Sequence, residues 1–186
     1  MTLEEKIEKY VPVNEQEARD KEQMLEFIAT NDNILTRENV FGHFSSSAFV
    51  VNKERNKMVV VYHIINNGWI FPGGHADGEE DLLSVAVREV FEETGLKVKV
   101  LDENIYGIQN NPVIGHVKKG KYVSAHVHYD VVYLMEADDK IPLVFREDES
   151  KGVKWIPFEE ADNNTMCDFI RPVHRKLIKK LTNQGE

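Results

Sequence analysis

The chain has 186 residues, 41% hydrophobic and 30% charged, an ordinary globular mixture with too many aliphatic and aromatic residues for a disordered chain. Its formal charge of −9 argues against a nucleic-acid polymer as partner, because gripping a phosphate backbone needs lysine and arginine to displace counterions. A phosphate-bearing ligand on so acidic a chain needs a bound cation or a local basic pocket to offset repulsion.

The length predicts one domain, residues 1–186, divided into a helical N-terminal extension over 1–40 and a core over 41–186. Cys167 is the single cysteine, so no internal disulfide can form, and the charged opening MTLEEKIEKY lacks the apolar stretch of a signal peptide. The longest apolar runs, such as MVVVY at 58–62, fall far below the roughly eighteen residues of a membrane helix. The expectation is a cytoplasmic protein with no membrane partner.

In chain order, TLEEKIEKY and NEQEARDKEQMLEFIAT each begin with a capping-box pattern, Thr2 with Glu5 and Asn14 with Glu17, and predict two helices separated by Pro12. Ala18, Met24, Leu25 and Ile28 give the second a rough apolar stripe for docking on the main body. From His43 the period changes to two, and strands are predicted over HFSSSAFVV and MVVVYHI, then a short one at Trp69-Ile70-Phe71 after the Asn67-Gly68 turn. Pro72-Gly73-Gly74 turns the chain sharply into a helix from about Glu80 to Glu93, with acidic residues in its first turn and Gly95 as a left-handed cap. Further strands are predicted at 96–102, 121–137 and 152–157, with a glycine-containing loop between the first two. Pro172 opens a final helix whose buried stripe is Val173, Leu177, Ile178 and Leu181.

The stretch REVFEETG, residues 88–95, carries the chemistry. On a helical wheel Glu92 falls at about −60° and Glu93 at about +40° from Glu89, so three carboxylates share an arc of roughly 100°. Taken alone this is also what a solvated helix face looks like, since exposed like charges at such spacings cost only about 0.2–0.5 kcal/mol per pair. The adjoining Pro-Gly-Gly turn brings backbone carbonyls beside the carboxylates, and such oxygen donors suit Mg²⁺ or Mn²⁺.

Gly74, Glu80, Arg88, Glu89, Val90, Glu92, Glu93, Gly95 and Leu96 match every fixed position of a Nudix box, so the chain resembles the Nudix hydrolase family. A chance match in a chain this long is on the order of 10⁻⁸ from average residue frequencies. The resemblance extends over roughly residues 41–160, and PGGHADG is similar to a subgroup of the family. It implies an α/β fold, a Nudix-type α/β/α sandwich with a mixed β-sheet. It also implies Mg²⁺- or Mn²⁺-dependent hydrolysis of a phosphoanhydride in a nucleoside diphosphate linked to another moiety: ADP-ribose, a nucleotide sugar, a dinucleoside polyphosphate or a noncanonical nucleoside triphosphate. Glu89, Glu92 and Arg88 then match catalytic positions; Glu89, Glu92 and Glu93, with a carbonyl of Gly73 or Gly74, match metal ligands. The resemblance implies that Arg88 braces the loop and the helix by ion pairing, with Glu80 part of that support, although a surface salt bridge gives the same pattern. Dimers are common in the family, so a homodimer is compatible with the resemblance.

Several positions carry alternatives. Family members add an acid before the last strand, for which FREDES offers Glu147, Asp148 and Glu149, and Glu149 has the expected spacing to Trp155. His126, His128 and Asp130 share one strand face and suit substrate or phosphate contact, as does His75 beside the Gly-Gly turn. His-x-His also suits zinc, but no cysteine or further tight cluster accompanies it in the sequence, and an ordinary polar sheet face or exposed loop histidine gives the same pattern. Trp69 reads as core rather than a base-stacking platform. Pro112 lies sixteen residues past Leu96, a spacing similar to ADP-ribose-cleaving Nudix enzymes, though Asn111-Pro112 is also a good turn former. Two competing readings exist on the same fold. A non-hydrolytic nucleotide sensor usually carries a broken box, whereas this box is intact; isopentenyl diphosphate isomerase needs a reactive cysteine near the site, and Cys167 is far away in sequence.

Overall fold

The computed structural model describes residues 1–64, 67–118, 120–145, 150–163 and 166–183. Helices α1 (Leu3–Lys9) and α2 (Glu15–Thr30) open the chain. At α1 the capping box closes in both directions: Glu5 N–H donates to Thr2 Oγ1 at 3.2 Å, and Thr2 N–H to Glu5 Oε2 at 2.9 Å. At α2 Asn14 Oδ1 accepts from Glu17 N–H at 2.9 Å, but the Glu17 carboxylate does not return to the cap. It turns inward, fully buried, and accepts from the Tyr10 hydroxyl at 2.6 Å and Val13 N–H at 2.9 Å.

The strands are β1 (Gly42–Val51), β2 (Lys57–His63), β3 (Gly68–Ile70), β4 (Gly73–His75), β5 (Lys99–Val100), β6 (Gly107–Val113), β7 (His116–Lys118), β8 (Lys121–Val123), β9 (His126–Glu136) and β10 (Ser150–Pro157). Helix α3 (Leu82–Thr94) follows β4, and α4 (Arg171–Asn183) closes the described chain. The mixed sheet runs β10-β2-β1-β9-β5. At its centre β1 and β9 pair in parallel from Gly42–Val127 through Val51–Glu136. The outer edge of β1 is shared between β2, at Val51–Met58, and β4, at Ser45 to Ser47; that of β9 is shared between β6 and β5.

Alternation along β1 divides the core. Phe44, Ala48 and Val50 face α1, α2 and α3, packing with Ile7, Met24, Phe27, Val85 and Val90, while Phe49 and Val51 face α4 and pack with Val173, Leu177 and Leu181. Helices therefore cover both faces, an α/β/α sandwich with a helical N-terminal extension that contributes to the core. Among the described residues no helix is long and apolar enough to cross a membrane.

Several boundaries differ from the sequence reading. Helix α3 begins at Leu82, not Glu80, and has no acidic first turn, because Asp77 (φ 47°) and Gly78 (φ 92°) hold the preceding chain in a left-handed turn. The loop predicted between 102 and 121 contains β6, so Pro112 is a strand residue opposite Val127 and not a turn former. Among the described residues β6 pairs only with β9, and a sheet edge tolerates proline's missing N–H. The run 121–137 breaks at Ser124-Ala125 into β8 and β9, and the run 96–102 forms a strand only at Lys99–Val100. Trp69 is only partly buried: Tyr62 meets it edge-on at 5.3 Å between centroids, and Lys154 Nζ lies 4.4 Å from its ring centre.

Candidate active site

The acidic helix is anchored by Leu82, Val85, Ala86 and Val90, all buried, which leaves its glutamates towards β4 and solvent. Gly95 ends it in the left-handed conformation (φ 72°), its N–H bonding Phe91 O at 2.9 Å. Glu93 Oε2 accepts from Gly73 N–H at 2.9 Å. Gly74 faces Glu89 so closely that a Cβ there would lie 2.6 and 2.7 Å from the two carboxylate oxygens. A Cβ at Gly73 would lie 2.7 Å from Ser46 O. Both glycines of the turn are thus required by close approach, one to a carboxylate and one to the neighbouring strand.

Arg88 Nη1 lies 3.3 Å from Glu89 Oε1 and 3.8 Å from Glu92 Oε1. Both contacts are to carboxylates of its own helix. Glu89 is 17% exposed and Glu92 39% exposed, so the first is held against the turn and the second opens outward. Glu80 is exposed before the first turn of α3. Glu149 and its neighbours Glu147 and Asp148 lie outside the described residues. The donor set, two carboxylates against a side-chain-free turn with Glu92 beside them on the helix, fits a hard divalent ion that takes carboxylate, carbonyl and water oxygens. Glu89, Glu92, Glu93 and the Gly73 backbone are the groups that would hold it.

The histidines converge, but not on the glutamates. Gly74 faces Glu89, and by strand alternation His75, one residue on, faces the opposite side of β4. There its Nε2 is 3.2 Å from His128 Nε2, which is also 3.1 Å from His126 Nε2. A fourth ring, His43, joins them with its centroid 4.8 to 5.1 Å from the other three. His43 was not singled out by sequence; it is the parallel pairing of β1 with β9 that sets it beside His128. Burial, reinforced by Arg37 and then His43, lowers the His75 pKa to about 3, and burial reinforced by the neighbouring imidazoles lowers that of His128 to about 2. Both rings are neutral at pH 7 and offer no positive charge to a phosphate. Burial lowers His43 too, and hydrogen bonding to the Asn39 backbone offsets part of this.

Asp130, placed by sequence on the same strand face, is held in a buried hydrogen-bond network. Its Oδ1 accepts from Ser45 Oγ at 2.8 Å and Ser47 Oγ at 3.0 Å, and its Oδ2 from Gln109 Nε2 at 2.7 Å. Burial raises its pKa to about 6 although all three hydrogen bonds favour the carboxylate.

A family model described as NUDIX domain matches residues 43–181. The chain is 32% identical over 139 residues to an RNA pyrophosphohydrolase of Pelagibacter ubique, covering 71% of this chain and 86% of that protein. A solved NUDIX family hydrolase from Clostridium perfringens superposes with a TM-score of 0.54 at 23% identity, covering 75% of this chain and 97% of the other. A C. elegans Ap4A hydrolase superposes at 0.53 with 18% identity, covering 75% and 98%. These two likenesses speak for the fold alone. With an intact box on a matching fold and a family match over most of its length, the chain belongs to the Nudix family and is a pyrophosphohydrolase of that family.

Proposed function

We propose that the enzyme cleaves a phosphoanhydride in a small nucleoside diphosphate linked to another moiety, with Mg²⁺ or Mn²⁺ as cofactor. The observation that carries this reading is the packing of Glu89 and Glu93 against the Gly73-Gly74 turn, with Arg88 beside Glu89 and Glu92. When bound, the divalent ion supplies charge to offset the diphosphate oxygens and acidifies the attacking water. Glu93, tied to the Gly73 amide, and Glu89, pressed on Gly74, fix the donor positions on a rigid helix. Water attacks one phosphorus, the bridging P–O bond breaks, and the proton passes to a carboxylate, with Glu89 and Glu92 the two placed to accept it. Arg88 limits the repulsion among the carboxylates while substrate is absent.

The formal charge of −9 favours a small substrate, and a single cysteine suits a reducing cytoplasmic setting. A panel of ADP-ribose, nucleotide sugars, dinucleoside polyphosphates, noncanonical nucleoside triphosphates and a 5′-triphosphorylated RNA, assayed with Mg²⁺ or Mn²⁺, tests the reading. Turnover of a small nucleotide supports it. Activity confined to the RNA would replace the substrate class, and micromolar binding without turnover of any compound would make the protein a sensor. The substitution Glu92→Gln is expected to abolish turnover with little loss of fold; retained activity removes Glu92 from the mechanism.

A further inference from the structure

We propose that His43, His75, His126 and His128 form a second metal site, separate from the glutamates, that takes one Zn²⁺ or a similar imidazole-preferring ion and ties β1, β4 and β9 together. The cluster draws from three strands, yet the ring nitrogens of His43, His75 and His128 come within 4.8 Å of one another. Tetrahedral zinc with Zn–N bonds of about 2.0–2.1 Å has edges of about 3.3 Å between ligand nitrogens. The two shortest separations here, 3.2 Å for His75–His128 and 3.1 Å for His126–His128, are already close to that edge. His43 must shift inward, and so must His126, which approaches His128 but stands outside the group whose nitrogens all lie within 4.8 Å of one another.

Hydrogen bonding among the rings does not account for the arrangement. His128 Nε2 faces two partners, but an imidazole nitrogen has one in-plane position, either a proton or a lone pair. His126 Nδ1 lies 2.8 Å from Ser124 O, a carbonyl that can only accept, so Nδ1 carries the proton and Nε2 presents its lone pair to the cluster. A second-sphere bond from a histidine to a backbone carbonyl is what fixes the tautomer of metal-bound imidazoles. If His128 answers with its own proton, that one proton must serve His75 as well. His43 is more costly still: it is 4% exposed, and among the described residues neither ring nitrogen has a partner of good hydrogen-bond geometry, the Asn39 backbone offsetting only part of its burial. A buried polar ring without a partner is unfavourable unless something satisfies it, and a shared cation among four nitrogens does so.

The ligand type selects the ion. Imidazole nitrogens suit zinc, nickel, copper or ferrous iron, whereas magnesium prefers oxygen, so this site and the carboxylate helix sort different metals. The partly exposed rings of His75, His126 and His128 leave a path for entry. Bound there, the ion holds β4 on the central pair, and β4 carries the Gly73-Gly74 turn.

The test uses the full chain stripped with a chelator and titrated with Co²⁺ or Zn²⁺ alone, in excess Mg²⁺ to occupy oxygen sites. Expected are one ion per chain by elemental analysis, the intense visible bands of tetrahedral Co²⁺, and a rise in melting temperature on Zn²⁺ addition. His128→Gln should weaken binding more than about 100-fold, beyond the 10–100-fold that a supporting partner is worth. Glu92→Gln should leave both stoichiometry and spectrum unchanged. Should His128→Gln fail to fold, His126→Gln and His75→Gln, on more exposed rings, carry the same expectation. Absence of stoichiometric Zn²⁺ binding, octahedral Co²⁺ spectra, or loss of binding on Glu92→Gln while the histidine variants retain it would overturn the proposal.

Discussion

Glu17 offers the sharpest test of how the N-terminal extension is held. Its carboxylate is fully buried, lies 2.9 Å from Lys176 Nζ on α4, and accepts from the Tyr10 hydroxyl and Val13 N–H. Lys176 is 7% exposed and also donates to Ile108 O at 2.6 Å and Gln16 Oε1 at 3.0 Å. One ion pair thus joins α2, β6 and α4. Burial lowers the Lys176 pKa, with Glu17 working against that shift, so the ammonium depends on its partner. Removing one member of such a pair leaves an uncompensated buried charge, which costs about 3–5 kcal/mol. For a domain of this size that is about 6–20 °C in melting temperature. Glu17→Ala should show this loss in urea unfolding at pH 7 with an unchanged slope. Lys176→Met should be destabilising too, because it strands the carboxylate. The double variant Glu17→Met, Lys176→Met should recover most of the loss, since a buried pair replaced by apolar groups is often neutral. A Glu17→Ala cost below about 1 kcal/mol, or additive losses in the double variant, would refute the reasoning.

Three further outcomes follow from the geometry. Gly74→Ala drives a methyl into the Glu89 carboxylate, and displacement of about 1 Å at the site should lower turnover on the order of 100-fold, measured as kcat with Mg²⁺ saturating. Gly95→Ala forces a left-handed residue and presses on Val144, whose Cβ would be 3.2 Å from the new methyl, so chemical unfolding should show a loss of roughly 1–2 kcal/mol. His174 is fully buried edge-on to Phe71, and burial lowers its pKa to about 4 from the model-peptide value of 6.5. Folding therefore favours the neutral ring: the stability is complete above about pH 6.5 and is lost as pH falls towards 4, by about 3 kcal/mol at about 1.4 kcal/mol per unit. A His174→Phe variant should flatten that part of the pH–stability profile, and an unchanged slope between pH 4 and 6.5 would assign the acid loss elsewhere.

Local signals were legible where a short stretch decides its own conformation. The caps at Thr2 and Asn14, the left-handed Gly95 and the amphipathic α3 and α4 follow from residues a few positions apart. What the sequence hid depends on pairing across the sheet. β6 reads GIQNNPV, a string of turn formers, and becomes a strand because β9 supplies a partner over its whole length. Glu17 read as half of a capping box, whereas its buried role is set by Lys176, 159 positions away in the chain.

The same distinction explains the site. Arg88, Glu89, Glu92 and Glu93 could be read directly because a single helix presents them, and the helix period fixes their mutual directions. The histidines could not, since His43, His75 and His128 belong to three strands whose registers no local pattern specifies. Ser45 pairs with His75 on one side and with Asp130 on the other, so β1 is the spacer between β4 and β9. A slip of one residue in either pairing would turn the affected side chains to the opposite face of the sheet and scatter the imidazoles. Within β4 the alternation Gly74, His75 gives consecutive residues to opposite chemistries, a carboxylate cradle on the α3 face and an imidazole cluster on the other. The three residues of that strand are therefore constrained from both sides at once: by the space Glu89 occupies, and by the nitrogen positions His128 and His43 set.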